Sequence, residues 1–138
     1  MRGGGELFDD VYVTLETIYN RGYTMLVASN GKIDYIEAIL NSKDIKKYFT
    51  YPIVTIDNMI RGKNDIVRYY KETISKNNLL IMIGDRESDM IAAIENGIPF
   101  IGCSFGFSEN NEFKDLKWRV NRFSKIPCII RTIEKELR

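Results

Sequence analysis

The chain has 138 residues, one domain's worth, with 44% hydrophobic and 28% charged residues, the balance of a soluble globular fold. Twenty basic and nineteen acidic residues leave a net charge of +1, a field that draws neither nucleic acid nor anionic lipid. Histidine is absent, which excludes Ser-His-Asp and Cys-His nucleophiles, helical HExxH zinc sites and phosphohistidine chemistry.

Any metal must then be held by carboxylates, carbonyls and hydroxyls, a donor set that favours Mg²⁺ over zinc or copper. Met1-Arg2-Gly3-Gly4-Gly5-Glu6 has no apolar stretch of the kind a signal peptide needs. Its glycines read as a flexible lead-in over residues 1–8, ahead of a domain over 9–138. The longest fully apolar run, Leu79 to Ile83, is five residues, too short to cross a bilayer. Cys103 and Cys128 form no CxxC pattern, and read as two small buried hydrophobes in a reducing compartment rather than a disulfide. The expected location is the cytoplasm.

In chain order, Val11, Leu15, Ile18 and Tyr19 recur at helical spacing between Asp9 and Arg21, and Gly22 stops the run. Tyr23 to Ala28 suits a buried strand and empties into Ser29-Asn30-Gly31. A second helix is expected from Lys32 to Leu40, with Ile33, Ile36, Ile39 and Leu40 on one face, and a further helical turn within Lys43 to Phe49. Pro52 to Ile56 is the next strand, ending at Asp57. The following helix runs from Asn64 to about Lys76, with Ile66, Val67, Tyr70 and Ile74 inward. Leu79 to Ile83 is apolar at every position, which predicts an interior parallel strand with both faces covered. A helix from Glu87 to Asn96 buries Met90, Ala93 and Ile94 and stops at Gly97. Ile98 to Cys103 is another buried strand, and 118–120 a short edge strand. The last helix begins near Ser124, with Pro127 in its first turn and Ile126, Ile130, Ile133 and Leu137 buried. Such alternation predicts an α/β fold, a parallel sheet with helices on both faces, and ligands at the carboxyl ends of the strands.

Three strand ends carry polar groups. Ser29, with the amides of Asn30 and Gly31, can hold an anion at a helix N-terminus, or simply cap that helix. Lys63 opens a helix, where a cation opposes the macrodipole; a nearby anion accounts for it better than solvent does. In Gly84-Asp85-Arg86-Glu87-Ser88-Asp89 an apolar strand runs into two aspartates four residues apart. Two carboxylates above one strand repel unless a cation lies between them, and Mg²⁺ is the suitable one. The plainer alternative is that Asp89 and Glu87 only favour the helix dipole.

At these residues the chain resembles the haloacid dehalogenase-like superfamily, most closely its phosphoglycolate-phosphatase-like members. Leu26-Val27-Ala28-Ser29-Asn30-Gly31 resembles the second motif, whose Ser or Thr binds substrate phosphate. Lys63, within Gly62-Lys63-Asn64-Asp65, resembles the third-motif catalytic lysine that steadies the phosphoryl group. Gly84-Asp85 to Asp89 resembles the fourth motif, GDxxxD, whose acids hold Mg²⁺. The resemblance implies a three-layer, Rossmann-like α/β/α core and a Mg²⁺-dependent phosphatase acting on a phosphorylated small molecule.

The first motif, DxDxT, which supplies the nucleophilic aspartate, has no match; no DxD occurs anywhere in the sequence. Aligned this way, the chain is expected to begin after the family's first strand and cap, and to be inactive alone for want of a nucleophile. In the family the missing strand lies between those at Tyr23–Ala28 and Leu79–Ile83. One of three repairs is expected: the two strands close together, residues of the glycine-rich N-terminus insert, or a second chain fills the gap, self-association being favoured. The alternative is a non-catalytic binding or assembly module on the same fold. A phosphoacceptor receiver centred on Asp57 is disfavoured, because receivers need an acidic cluster after their first strand and none precedes the Tyr23–Ala28 strand. A dinucleotide loop is disfavoured too, since Gly102 to Gly106 lacks the GxGxxG spacing.

Overall fold

The computed structural model describes residues 4–29, 31, 33–50, 60–74, 78–104, 113 and 115–137. Helix α1 (Gly4–Asn20) starts earlier than its apolar spacing predicts, so Gly4 and Gly5 lie in its first turn rather than in a lead-in. It buries Thr14, Leu15 and Ile18. Helix α2 (Ile33–Ser42) buries Ile36 and Leu40 against Val27, Ile45 and Phe49, and a short 3-10 turn follows at Lys46–Tyr48. Helix α3 (Lys63–Glu72) buries Ile66, Val67 and Tyr70 but ends before Ile74, which is exposed.

Strand β1 (Met82–Gly84), helix α4 (Glu87–Glu95) and strand β2 (Phe100–Cys103) form one strand–helix–strand unit. Strand β3 (Arg119–Val120) and helix α5 (Ile126–Glu136) complete the chain, with Pro127 in the first turn of α5 as expected. The described sheet is parallel in the order β1-β2-β3. Met82, Ile83 and Gly84 stand opposite Phe100, Ile101 and Gly102, while Gly102 and Cys103 stand opposite Arg119 and Val120.

Strand alternation divides the core into two layers. Ile101 and Cys103 face a cluster with Ile18 of α1, Val120, and Ile126, Ile130 and Ile133 of α5. Phe100 and Met82 face the other side, against Val67 of α3, Ala92 and Ala93 of α4, and Phe113. Helices thus cover both faces, which is the three-layer α/β/α arrangement.

Several expectations are corrected. Tyr23 to Ala28 forms no strand ladder among the described residues; its carbonyls are taken instead by the Thr50 amide at Met25 (2.9 Å) and the Tyr70 hydroxyl at Val27 (2.7 Å). Leu79 is exposed and β1 begins only at Met82, at the edge of the described sheet rather than inside it. On α4 the buried positions are 89, 92, 93 and 96, so Ile94 falls off the inward face and is 66% exposed. Leu137 lies just beyond α5 and is 55% exposed, and Cys128 is exposed on that helix. Both cysteines are free thiols.

Of the three expected repairs, the described residues show neither of the first two. No ladder joins residues 23–28 to β1, and residues 4–20 are helical rather than an inserted strand. The strand expected over 52–56, and Asp57, lie outside the described residues. No described helix is long and apolar enough to cross a membrane.

Candidate functional site

The carboxyl end of β1 meets the first turns of two helices. Gly84 ends the strand, Asp85 and Arg86 make the turn, and α4 begins at Glu87, placing Asp89 in its first turn. Asp89 is buried there, and its Oδ2 accepts the backbone N–H groups of Asp85 and Arg86, each at 3.2 Å. Its Oδ1 accepts a hydrogen bond from Nζ of Lys63, the first residue of α3. The two side chains are 14% and 8% exposed, so the ion pair is held largely away from solvent. The anion that Lys63 was expected to face is therefore within the chain.

Gly84 permits this geometry. A Cβ there would overlap the Asp89 carboxylate, so any side chain at 84 would displace it. In the sequence Gly84 reads as the strand end and as the glycine of GDxxxD; its steric role toward Asp89 is visible only in the structure.

Asp85 is exposed and its carboxylate makes no hydrogen bond or ion pair among the described residues. Beside it, one position beyond the Gly84–Gly102 pairing, stands Cys103 at the end of β2. Burial above all, and then the negative charges of Asp85 and Asp89, push its thiol up to about 12. Cys103 is consequently a protonated, unreactive wall of the site at neutral pH.

Ser29 follows the segment that α3 holds through the Tyr70–Val27 hydrogen bond. Its Oγ accepts the amide of Gly31 at 3.0 Å, closing a tight serine turn rather than capping α2, which starts at Ile33. Asn30 lies outside the described residues. The structure brings Lys63, Asp85 and Asp89 to one strand end, and no hydrogen bond or ion pair joins Ser29 to them among the described residues.

The pair expected to hold Mg²⁺ does not present two free carboxylates. Both oxygens of Asp89 are engaged, and among the described residues no three His, Cys, Asp or Glu side chains gather as a metal centre would require. These residues alone do not fit a resident cation. What they do form is a lysine ammonium fixed at a helix N-terminus, with an exposed carboxylate beside it.

The haloacid dehalogenase-like hydrolase family matches residues 4–103, which include every one of these positions. The chain is 27% identical to a 5'-nucleotidase of Pseudomonas aeruginosa over 111 residues, covering 78% of this chain and 50% of that one. It is also 27% identical to a phosphoglycolate phosphatase of Vibrio parahaemolyticus, covering 76% of this chain and 54% of that one. Among solved structures, one described as a predicted phosphatase from Clostridium acetobutylicum superposes with a TM-score of 0.75 at 28% identity, over 90% of this chain and 59% of that one. A haloacid dehalogenase-like hydrolase from Streptococcus pneumoniae shares the fold with a TM-score of 0.77 at 18% identity, over 88% and 58% of the two chains. The chain thus spans about half the length of the curated relatives it matches.

Proposed function

The chain belongs to the haloacid dehalogenase-like hydrolase family, and from that membership we propose that it is the phosphate-holding part of a phosphatase core acting on a phosphorylated small molecule. One observation carries the reading: Ser29, Lys63 and the Asp85–Asp89 pair recur in the order of the family's second, third and fourth motifs, all inside the matched stretch. Lys63 supplies the chemistry. Its ammonium, fixed at the N-terminus of α3, offsets negative charge on phosphoryl oxygens, and charge stabilisation of this kind carries most of the barrier lowering in phosphoryl transfer. The Ser29 hydroxyl keeps its own proton to donate to a phosphate oxygen, since its bond to Gly31 uses only a lone pair.

No DxD occurs in these residues, so the proposal assigns them no nucleophile and expects no turnover from this chain alone. The test is hydrolysis of a generic aryl phosphate, with and without Mg²⁺, by this chain and by its Asp85→Asn variant. The expected result is a rate at the buffer background in every arm. Robust turnover lost in Asp85→Asn would keep the phosphatase reading and remove the missing-nucleophile part of it. A non-catalytic module is the competing reading, favoured by the neutralisation of Lys63 by Asp89. It predicts that phosphate esters also fail to protect the chain against thermal unfolding, whereas the phosphatase reading predicts a rise in Tm with excess ester.

A further inference from the structure

We infer that Asp89 is a positioning residue, not a metal ligand: its carboxylate latches Lys63 to the turn that follows β1. This deepens the phosphatase reading and depends on it only for the task given to Lys63. A carboxylate offers about four acceptor sites, and Asp89 spends three of them inside the chain. Oδ1 faces Lys63 Nζ, and Oδ2 takes the amides of Asp85 and Arg86 at 3.2 Å. A divalent cation bound through the one site left, on Oδ1, would sit directly beside the Lys63 ammonium, which repels it.

Burial and packing point the same way. The Asp89 side chain is 8% exposed, and Gly84 leaves room for the carboxylate only where it stands, against the end of β1. Asp85, by contrast, is exposed and accepts nothing among the described residues. The two acids of GDxxxD therefore divide the work in this chain. Asp89 faces inward and holds the lysine, which the α3 dipole would otherwise push away from the helix start. Asp85 faces outward, toward any cation that arrives.

The experiment is an amine-acylation footprint of the intact chain read by mass spectrometry, which involves no turnover. Lys63 is compared with the exposed Lys125 and Lys135 as internal references. Wild type is labelled in excess EDTA and in excess Mg²⁺, and Asp89→Asn in EDTA. The expected result is slow labelling of Lys63 in wild type, the same with and without Mg²⁺, and a several-fold acceleration in Asp89→Asn, where the ammonium has lost its ion-pair partner. Faster labelling of wild-type Lys63 on adding Mg²⁺ would show Asp89 turning to the ion and would overturn the inference. So would an unchanged rate in Asp89→Asn. Should that variant fail to fold by circular dichroism, the wild-type comparison with and without Mg²⁺ still decides. A failed phosphatase assay leaves this result standing, because no rate of hydrolysis enters it.

Discussion

Lys63 is a residue that local rules disfavour and the tertiary structure retains. A cation at the first position of a helix opposes the dipole, yet a buried carboxylate 26 positions away neutralises it. Removing either partner would leave an unpaired charge in a poorly solvated place, at a cost of about 3–5 kcal/mol. Cys103 is the titrating residue beside this pair. Its thiol is raised from 9.0 to about 12, so the folded chain keeps a proton that the unfolded chain releases. The stability it contributes is complete below pH 9 and is lost as pH rises through about 12, at roughly 1.4 kcal/mol per pH unit. Urea unfolding at a series of pH values should show wild type losing stability faster than Cys103→Ala above pH 9. Parallel curves for the two proteins would contradict it. At neutral pH a thiol reagent should modify exposed Cys128 and spare Cys103.

Among the elements, α3 and α4 are the pair that sets the site, and Asn96 joins them. Its Nδ2 donates to the Asn64 carbonyl (3.2 Å), the Asn64 side-chain Oδ1 (2.6 Å) and the Ala92 carbonyl (2.8 Å), while its own carbonyl accepts Lys71 Nζ at 2.5 Å. Asn64 in turn donates to Glu95. Asn96→Ala should therefore lower unfolding stability by about 1–3 kcal/mol, because the half-buried acceptors on Asn64 and the buried Ala92 carbonyl lose a donor. Equilibrium denaturation measures this, and a change near zero would mean that water replaces the amide. In the sequence Asn96 reads only as the residue before a helix-stopping glycine. Elements with a strong local pattern were legible: α4 between Gly84 and Gly97, β2 as a run of apolar residues, and α5 with its Pro127 start. Tyr23 to Ala28 shows where legibility stops. Its composition suits a strand, but a ladder also needs a neighbour, and the neighbour is not encoded in those six residues. Lys63 shows the same limit at the site, since its composition neighbourhood announces an anion without naming Asp89.

At the scale of the molecule, the three described strands leave β1 at the edge, with no ladder on its far side among the described residues, and its flanking residues are apolar. An apolar edge of this kind recruits another strand unless charge or a covering element blocks it. We therefore expect the chain to self-associate, with the sedimentation coefficient rising with concentration at neutral pH; a single monomer boundary at every concentration would refute this. Another long-range feature is the packing of α1 against α5, with Ile18 beside Ile126, Ile130 and Ile133, and Tyr23 bonded to Glu134. During synthesis these partners are separated by more than a hundred residues of translation. The Ile18 side of α1 leaves the ribosome well before α5 can cover it, while β1, α4 and β2 can assemble from neighbouring sequence. The Ile18 side of α1 thus waits for α5, and until the turns of α5 that carry Ile126, Ile130 and Ile133 emerge, that apolar stripe is open to chaperones.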